Sequence, residues 1–257
     1  MKTIVAEARG FTLIEMAMVL LIVALLLGGG LSVLSAQLEQ QKYKDTQKLL
    51  EDAREALIGY AAANGRLPCP ASAASNGIES PLGGSTAVVP CTNPYNGFLP
   101  AVTLGMPGVD ANGYLVDAWQ GPLNRIRYAV TTAITPGVNS NAATSPNGIR
   151  TATLATYGAA PNLRVCVSAT NITATTCGTA AALTTSAVAV VFSLGANAST
   201  GVAVGFDEAA NQNVVDQVFV YHTPVAVGGT NGEFDDLFTW IPAAVLYNRM
   251  LQAGSLP

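Results

Sequence analysis

Charge is scarce in this chain. Only 11% of its 257 residues are Asp, Glu, Lys or Arg, and the formal net charge is −4. A nucleic-acid binder of the general basic kind needs the opposite balance, so no nucleic acid is indicated as a partner. Histidine occurs once, as His222. No H-E-x-x-H, P-loop or G-x-G-x-x-G motif is present, and Val191-Phe192-Ser193-Leu194-Gly195 lacks the first glycine of a nucleophile elbow. A lone histidine is more often structural than catalytic, and the adjacent Asp235 and Asp236 would face opposite ways on a strand. The sequence therefore reads as a non-enzyme with no catalytic residues. C-x-x-C pairs are also missing, which argues against a zinc ribbon or a thioredoxin-like motif.

What charge there is falls unevenly. Residues from Glu39 to Glu55 carry both signs densely, as a solvated helix does. From Ala118 to Phe206 there is no acid, and the only bases are Arg125, Arg127, Arg150 and Arg164. Between Asp207 and Asp236 there are only acids. Half of the residues are hydrophobic, enough to bury a sizeable core in one domain or two small ones. The four cysteines fall into near pairs, Cys69 with Cys91 and Cys166 with Cys177. Two sequence-local disulfides formed in an oxidising compartment are the preferred reading over four buried thiols.

The N-terminus carries the most information. Met16 to Ala36 is a run of 21 residues without a charge, and about 20 suffice for a helix to cross a bilayer. Lys2 and Arg9 precede it, placing the first residues on the cytoplasmic side. Three processing routes compete. The first is a signal peptide cut near Val33-Leu34-Ser35, the second an uncut anchor, and the third a signal cut ahead of the apolar run. Glu15 stands just ahead of that run, inside the wider apolar stretch from Phe11 to Ala36, where a carboxylate costs about a few kcal/mol and is usually paired.

The segment Arg9-Gly10-Phe11-Thr12-Leu13-Ile14-Glu15 resembles the prepilin peptidase site of type IV pilins and type II secretion pseudopilins. The resemblance implies cleavage after Gly10, N-methylation of the new N-terminal Phe11, and a glutamate four residues on. It also implies assembly through Phe11 and Glu15: the carboxylate of one subunit neutralises the amine of its neighbour and sets the axial stagger. The partners implied are the prepilin peptidase/methylase, other pilin or pseudopilin subunits, an inner-membrane assembly platform and membrane lipid. The expected location is the bacterial inner membrane, single-pass with a periplasmic head, and in assembled form a pseudopilus or an extracellular pilus.

Beyond the apolar run, Leu49, Leu50, Ala53, Ala56, Leu57, Tyr60 and Ala61 recur at three- and four-residue spacing, an amphipathic stripe. Asn64-Gly65 should end the helix, with Pro68 and Pro70 following. A helix from Phe11 to Ala63 would be about 80 Å long at 1.5 Å per residue. Many pilins carry a proline in the apolar segment. Here Gly28-Gly29-Gly30 stands in that neighbourhood, able either to melt on assembly or to allow close packing.

The expected organisation is a leader over residues 1–10, a transmembrane and assembly helix over 11–65, and a β-rich periplasmic or extracellular head over 66–257. The fold class is α+β, one long N-terminal helix with a transmembrane half and an amphipathic half, packed on an antiparallel β-sheet head. Strand-like runs are Ile126–Ile134, Arg150–Tyr157, Leu163–Ala169, Ala187–Leu194 and Val214–His222, and a last helix starts at Pro242. In the head, Asp117-Ala118-Trp119-Gln120-Gly121-Pro122 and Phe192-Ser193-Leu194-Gly195-Ala196-Asn197 resemble two segments of major pseudopilins, the second with asparagine for their acid. Asp235-Asp236 with Trp240 falls where their C-terminal acid and tryptophan occur. In those relatives the second segment binds calcium. Asn197, Asp207, Asp235 and Asp236 are the corresponding candidates here, against the plainer reading of a solvated acidic surface. The functions implied are a structural filament subunit, an adhesive minor pilin at a filament tip, or a membrane-anchored periplasmic binding domain.

Overall fold

The computed structural model describes residues 10–121, 123–135, 141–153, 155–156, 161–200, 205–212 and 216–256. It describes no side chains for 26–34 and 199–200. Lys2, Arg9, Pro122, Tyr157 and Val214 lie outside this description, as do the surroundings of Gly28, Gly29 and Gly30. Two compact units are formed, Met1–Lys44 and Asp45–Pro257.

The first helix, α1, is Leu13–Asn64. Its expected transmembrane half is not found. Among the described residues no helix is long and apolar enough to cross a membrane. The single-pass inner-membrane location expected from that span is corrected with it.

In the second unit, α1 turns a narrow stripe inward. Leu50, Ala53, Leu57 and Ala61 are fully buried, whereas Leu49 and Ala56 on the flanks are only half-buried. The helix ends where glycine allows it to. Gly65 takes φ +66° and donates its N–H to the Ala61 carbonyl at 2.8 Å. The last carbonyls would otherwise lack donors. Arg150 supplies them, its Nη2 donating to Ala62 O and Ala63 O at 3.0 and 2.9 Å, and Ser255 Oγ adds a bond to Ala62 O at 2.7 Å. This explains why the described residues of the strand expected over Arg150–Tyr157 form no strand. A short helix, Gly148–Thr151, stands there and faces Arg150 to the end of α1.

The sheet is built on β4, Ala182–Ser193, whose β-branched run is buried from Ala187 onward. β2 (Arg127–Val130) and β3 (Leu163–Cys166) pair antiparallel with successive parts of β4, and β6 (Leu237–Pro242) pairs antiparallel on its other side. β1 (Gly97–Phe98) extends β2. β5 (Val218–Val220) pairs parallel with β3. The expected antiparallel sheet is therefore corrected to a mixed one. Between β4 and β5 the chain makes a helix, α4 (Phe206–Asn211), so β5 does not return as a hairpin and adds in the parallel sense. The remaining short helices are α2 (Ala101–Leu104) and α3, the Gly148–Thr151 helix. The last helix, α5 (Ala243–Gln252), begins after Pro242, which belongs to β6.

One face of the sheet holds an aromatic cluster. Phe192 on β4 stacks on Phe238 of β6 at 4.9 Å and lies 5.5 Å from Phe219 of β5. On the other face Tyr128 donates to Pro68 O at 3.1 Å, and Thr239 Oγ1 donates to Glu51 of α1 at 3.1 Å. Disulfides join Cys69 to Cys91 and Cys166 to Cys177. The second closes the loop of the β3–β4 hairpin.

Candidate functional site

The start of α1 is a reciprocal cap. Glu15 accepts from the Thr12 backbone N–H and the Thr12 hydroxyl, both at 2.8 Å, while the Glu15 N–H donates to Thr12 Oγ1 at 3.3 Å. Thr12 and Glu15 have the Thr-x-x-Glu spacing of a capping box. The Thr12 N–H and hydroxyl hold the Glu15 carboxyl below its ordinary range. Around this cap the apolar side chains are bare. Phe11 is 84% exposed and Leu13 90%. The exposure continues through Ile14, Leu20 and Leu25. Among the described residues of this stretch no face is buried. Gly10 is also exposed, so the Gly10–Phe11 bond is accessible.

In the second unit, the segments around Asp117 and Ser193 come together. Asp117 is buried and accepts from Ser193 Oγ at 2.6 Å and from Asn124 Nδ2 at 3.1 Å. The same Asn124 amide donates to Gly195 O at 2.7 Å. Burial raises the Asp117 carboxyl above its ordinary range, against the pull of these donors. Ser193 thus serves to bind an acid, and its hydroxyl proton is committed to that bond.

Past Ser193 the chain turns at Gly195, φ +66°. A Cβ at this position would overlap the carboxylate of Asp235, so only glycine fits. The turn aims the Ala196 and Asn197 N–H groups at Asp235 Oδ2, at 2.8 and 3.1 Å. Asp235 then forms a buried group with Asp236 and Glu208, one carboxylate oxygen of each lying within 4.8 Å of the others. Asn197 Nδ2 donates to Glu208 Oε1 at 2.8 Å, and Asn211 Nδ2 donates to Asp236 Oδ2 at 2.7 Å. Burial pushes Asp235 up to about 7 and Asp236 well above the ordinary carboxylate range, with neighbouring acids adding to both. Asp235 Oδ1 is buried and has no hydrogen-bond partner. Three converging carboxylates with one bare oxygen form a hard, all-oxygen donor set, which suits a hard cation such as calcium.

The candidates divide. Asp235 and Asp236 join the group. Asn197 touches it through its amide nitrogen, as a donor. Asp207 does not join. It accepts from Ala169 N at 2.5 Å and from Asn231 Nδ2 at 3.1 Å, and it lies 3.1 Å from His222 Nε2. Adjacent helical residues point about 100° apart, so α4 sends Asp207 and Glu208 to different sites. Glu208 was missed by sequence reasoning, although it stands beside Asp207 in the acid-only stretch. His222 stacks on Phe234 at 4.0 Å, and its Nδ1 lies 2.8 Å from Thr223 O. Both ring nitrogens thus face hydrogen-bond acceptors within the head. No family model, no curated protein and no solved structure matches this chain.

Proposed function

We propose that this chain is a structural subunit of a type IV pilus-like filament or a type II secretion pseudopilus, cut between Gly10 and Phe11 by a prepilin peptidase and assembled through α1. The observation that carries the reading is the bare apolar start of α1, with an acid held in its first turn. A helix that is apolar on every side needs cover, and copies of the same segment supply it by packing against one another. Within such a bundle the Glu15 carboxylate loses water, and a buried charge without a partner is costly. Cleavage creates the partner, an amine at Phe11 one residue from the Thr12 cap. Glu15 of one subunit then meets that amine on its neighbour, and the match fixes the stagger.

Mass spectrometry of the purified chain tests the processing step. A mature N-terminus at methylated Phe11 is expected. A chain starting at Met1 or at Gln37 overturns the proposal. Glu15→Leu tests the assembly step: filaments are expected to be lost while head folding is kept, and polymerisation in normal number and register would refute the role given to Glu15.

A second reading concerns the acidic group and rests on the bare Asp235 Oδ1. We propose that Glu208, Asp235 and Asp236 hold calcium. The ion supplies positive charge to three buried acids and ties α4 to the strand entry at Leu237. Calcium in excess is expected to raise the melting temperature and chelator to lower it, with Asp235→Asn abolishing the difference. An unchanged melting temperature in excess chelator disposes of the idea.

A further inference from the structure

A hollow of about 490 Å³ lies on the head between α4 and the disulfide-closed loop that follows β3. That volume falls within the roughly 300–1,000 Å³ of small-molecule sites. Phe206, the first residue of α4, stands at its rim and is 78% exposed. Ala209 and Ala210 give the hollow an apolar lining beside the ring, and Thr170, Asn171 and Asn231 bring hydroxyl and carboxamide groups. Among the described residues no charged side chain lines it. Asn231 Nδ2 is spent on Ser168 Oγ and Asp207, which fixes the side chain. Asn171 Nδ2 is likewise committed to Thr179 Oγ1 at 3.3 Å. Both amide nitrogens are thus engaged within the protein.

We infer that this hollow binds a neutral saccharide. A sugar ring has an apolar C–H face and a rim of hydroxyls. The face fits against an exposed aromatic ring, and the hydroxyls pair with the hydroxyl and carboxamide groups of the lining. The alanine lining accepts a small apolar substituent, so acetamido sugars are the favoured class. The uncharged lining gives no counter-ion to an acidic sugar or to a peptide carboxylate. The inference does not depend on polymerisation and goes beyond the filament reading.

The purified full chain is screened on a glycan array holding neutral and acidic glycans, and tri-N-acetylglucosamine is then titrated by calorimetry. Saturable binding to neutral, acetamido-bearing glycans is expected. Phe206→Ala should weaken it by at least about tenfold, with the melting temperature unchanged because the ring is exposed. Phe206→Trp should retain binding. Binding of no neutral glycan, binding restricted to acidic glycans, or equal binding by Phe206→Ala each overturns the inference.

Discussion

Glu15 and Asp235 are acids with opposite electrostatic surroundings. Glu15 is exposed, and its Thr12 donors favour the charged form, so its pKa falls. Asp235 is buried among acids with one oxygen bare, so the proton is favoured and its pKa rises to about 7. The signs of their pH effects follow. A depressed carboxyl stabilises the folded form above its unfolded pKa, and the effect is lost as pH falls through the folded value. Thr12→Val removes the hydroxyl donor, and the Glu15 carboxyl resonance followed by NMR should then titrate at a higher pH. An unchanged titration would show that the hydroxyl contributes nothing. For Asp235 the folded state binds the proton more tightly. In chelator, stability should be greatest near pH 4 and decline as pH rises through about 7. Urea unfolding across that window should show the decline, and Asp235→Asn should flatten it.

Polar bonds add to the apolar core where elements end. At the C-terminus of α1, Arg66 forms a bidentate pair with Glu79, both bonds 2.7 Å and both residues buried. Glu79 also accepts from the Cys69 and Gly83 N–H groups, each at 3.1 Å, so one carboxylate orders the loop closed by the first disulfide. Removing one partner leaves a buried charge alone. Glu79→Ala should cost about 3–5 kcal/mol in chemical denaturation. Arg66→Met with Glu79→Leu should cost less than the sum of the single changes, because no charge is then stranded. Additive effects would mean that the two groups do not act as a pair.

At the scale of the whole chain the division falls at Lys44. The core residues of the sheet and the stripe from Leu50 to Ala61 all lie in the second unit. A chain beginning at Asp45 should therefore keep both disulfides and a single cooperative unfolding transition. It should sediment as a monomer, since the bare apolar segment is gone. Polymerisation of that fragment would place the assembly surface on the head and remove it from the start of α1.

Local chemistry was legible from residue order. The helix stop at Gly65 and the two near-neighbour cysteine pairs each depend on residues close in sequence, and the structure contains both features. Features that depend on distant residues were not. The strand Leu237–Pro242 exists because β4 offers it an edge, and the parallel pairing of β5 follows from a helix placed before it. Arg150 joins a helix because bare carbonyls wait at Ala62 and Ala63. The acidic group shows the difference most directly. Asp235 and Asp236 were readable as neighbours, but Glu208 joins them only when α4 is set against the turn at Gly195. Sequence determines which groups a short segment can offer. Only burial and long-range pairing decide which of those groups meet, because desolvation acts on the assembled core and not on the chain as written.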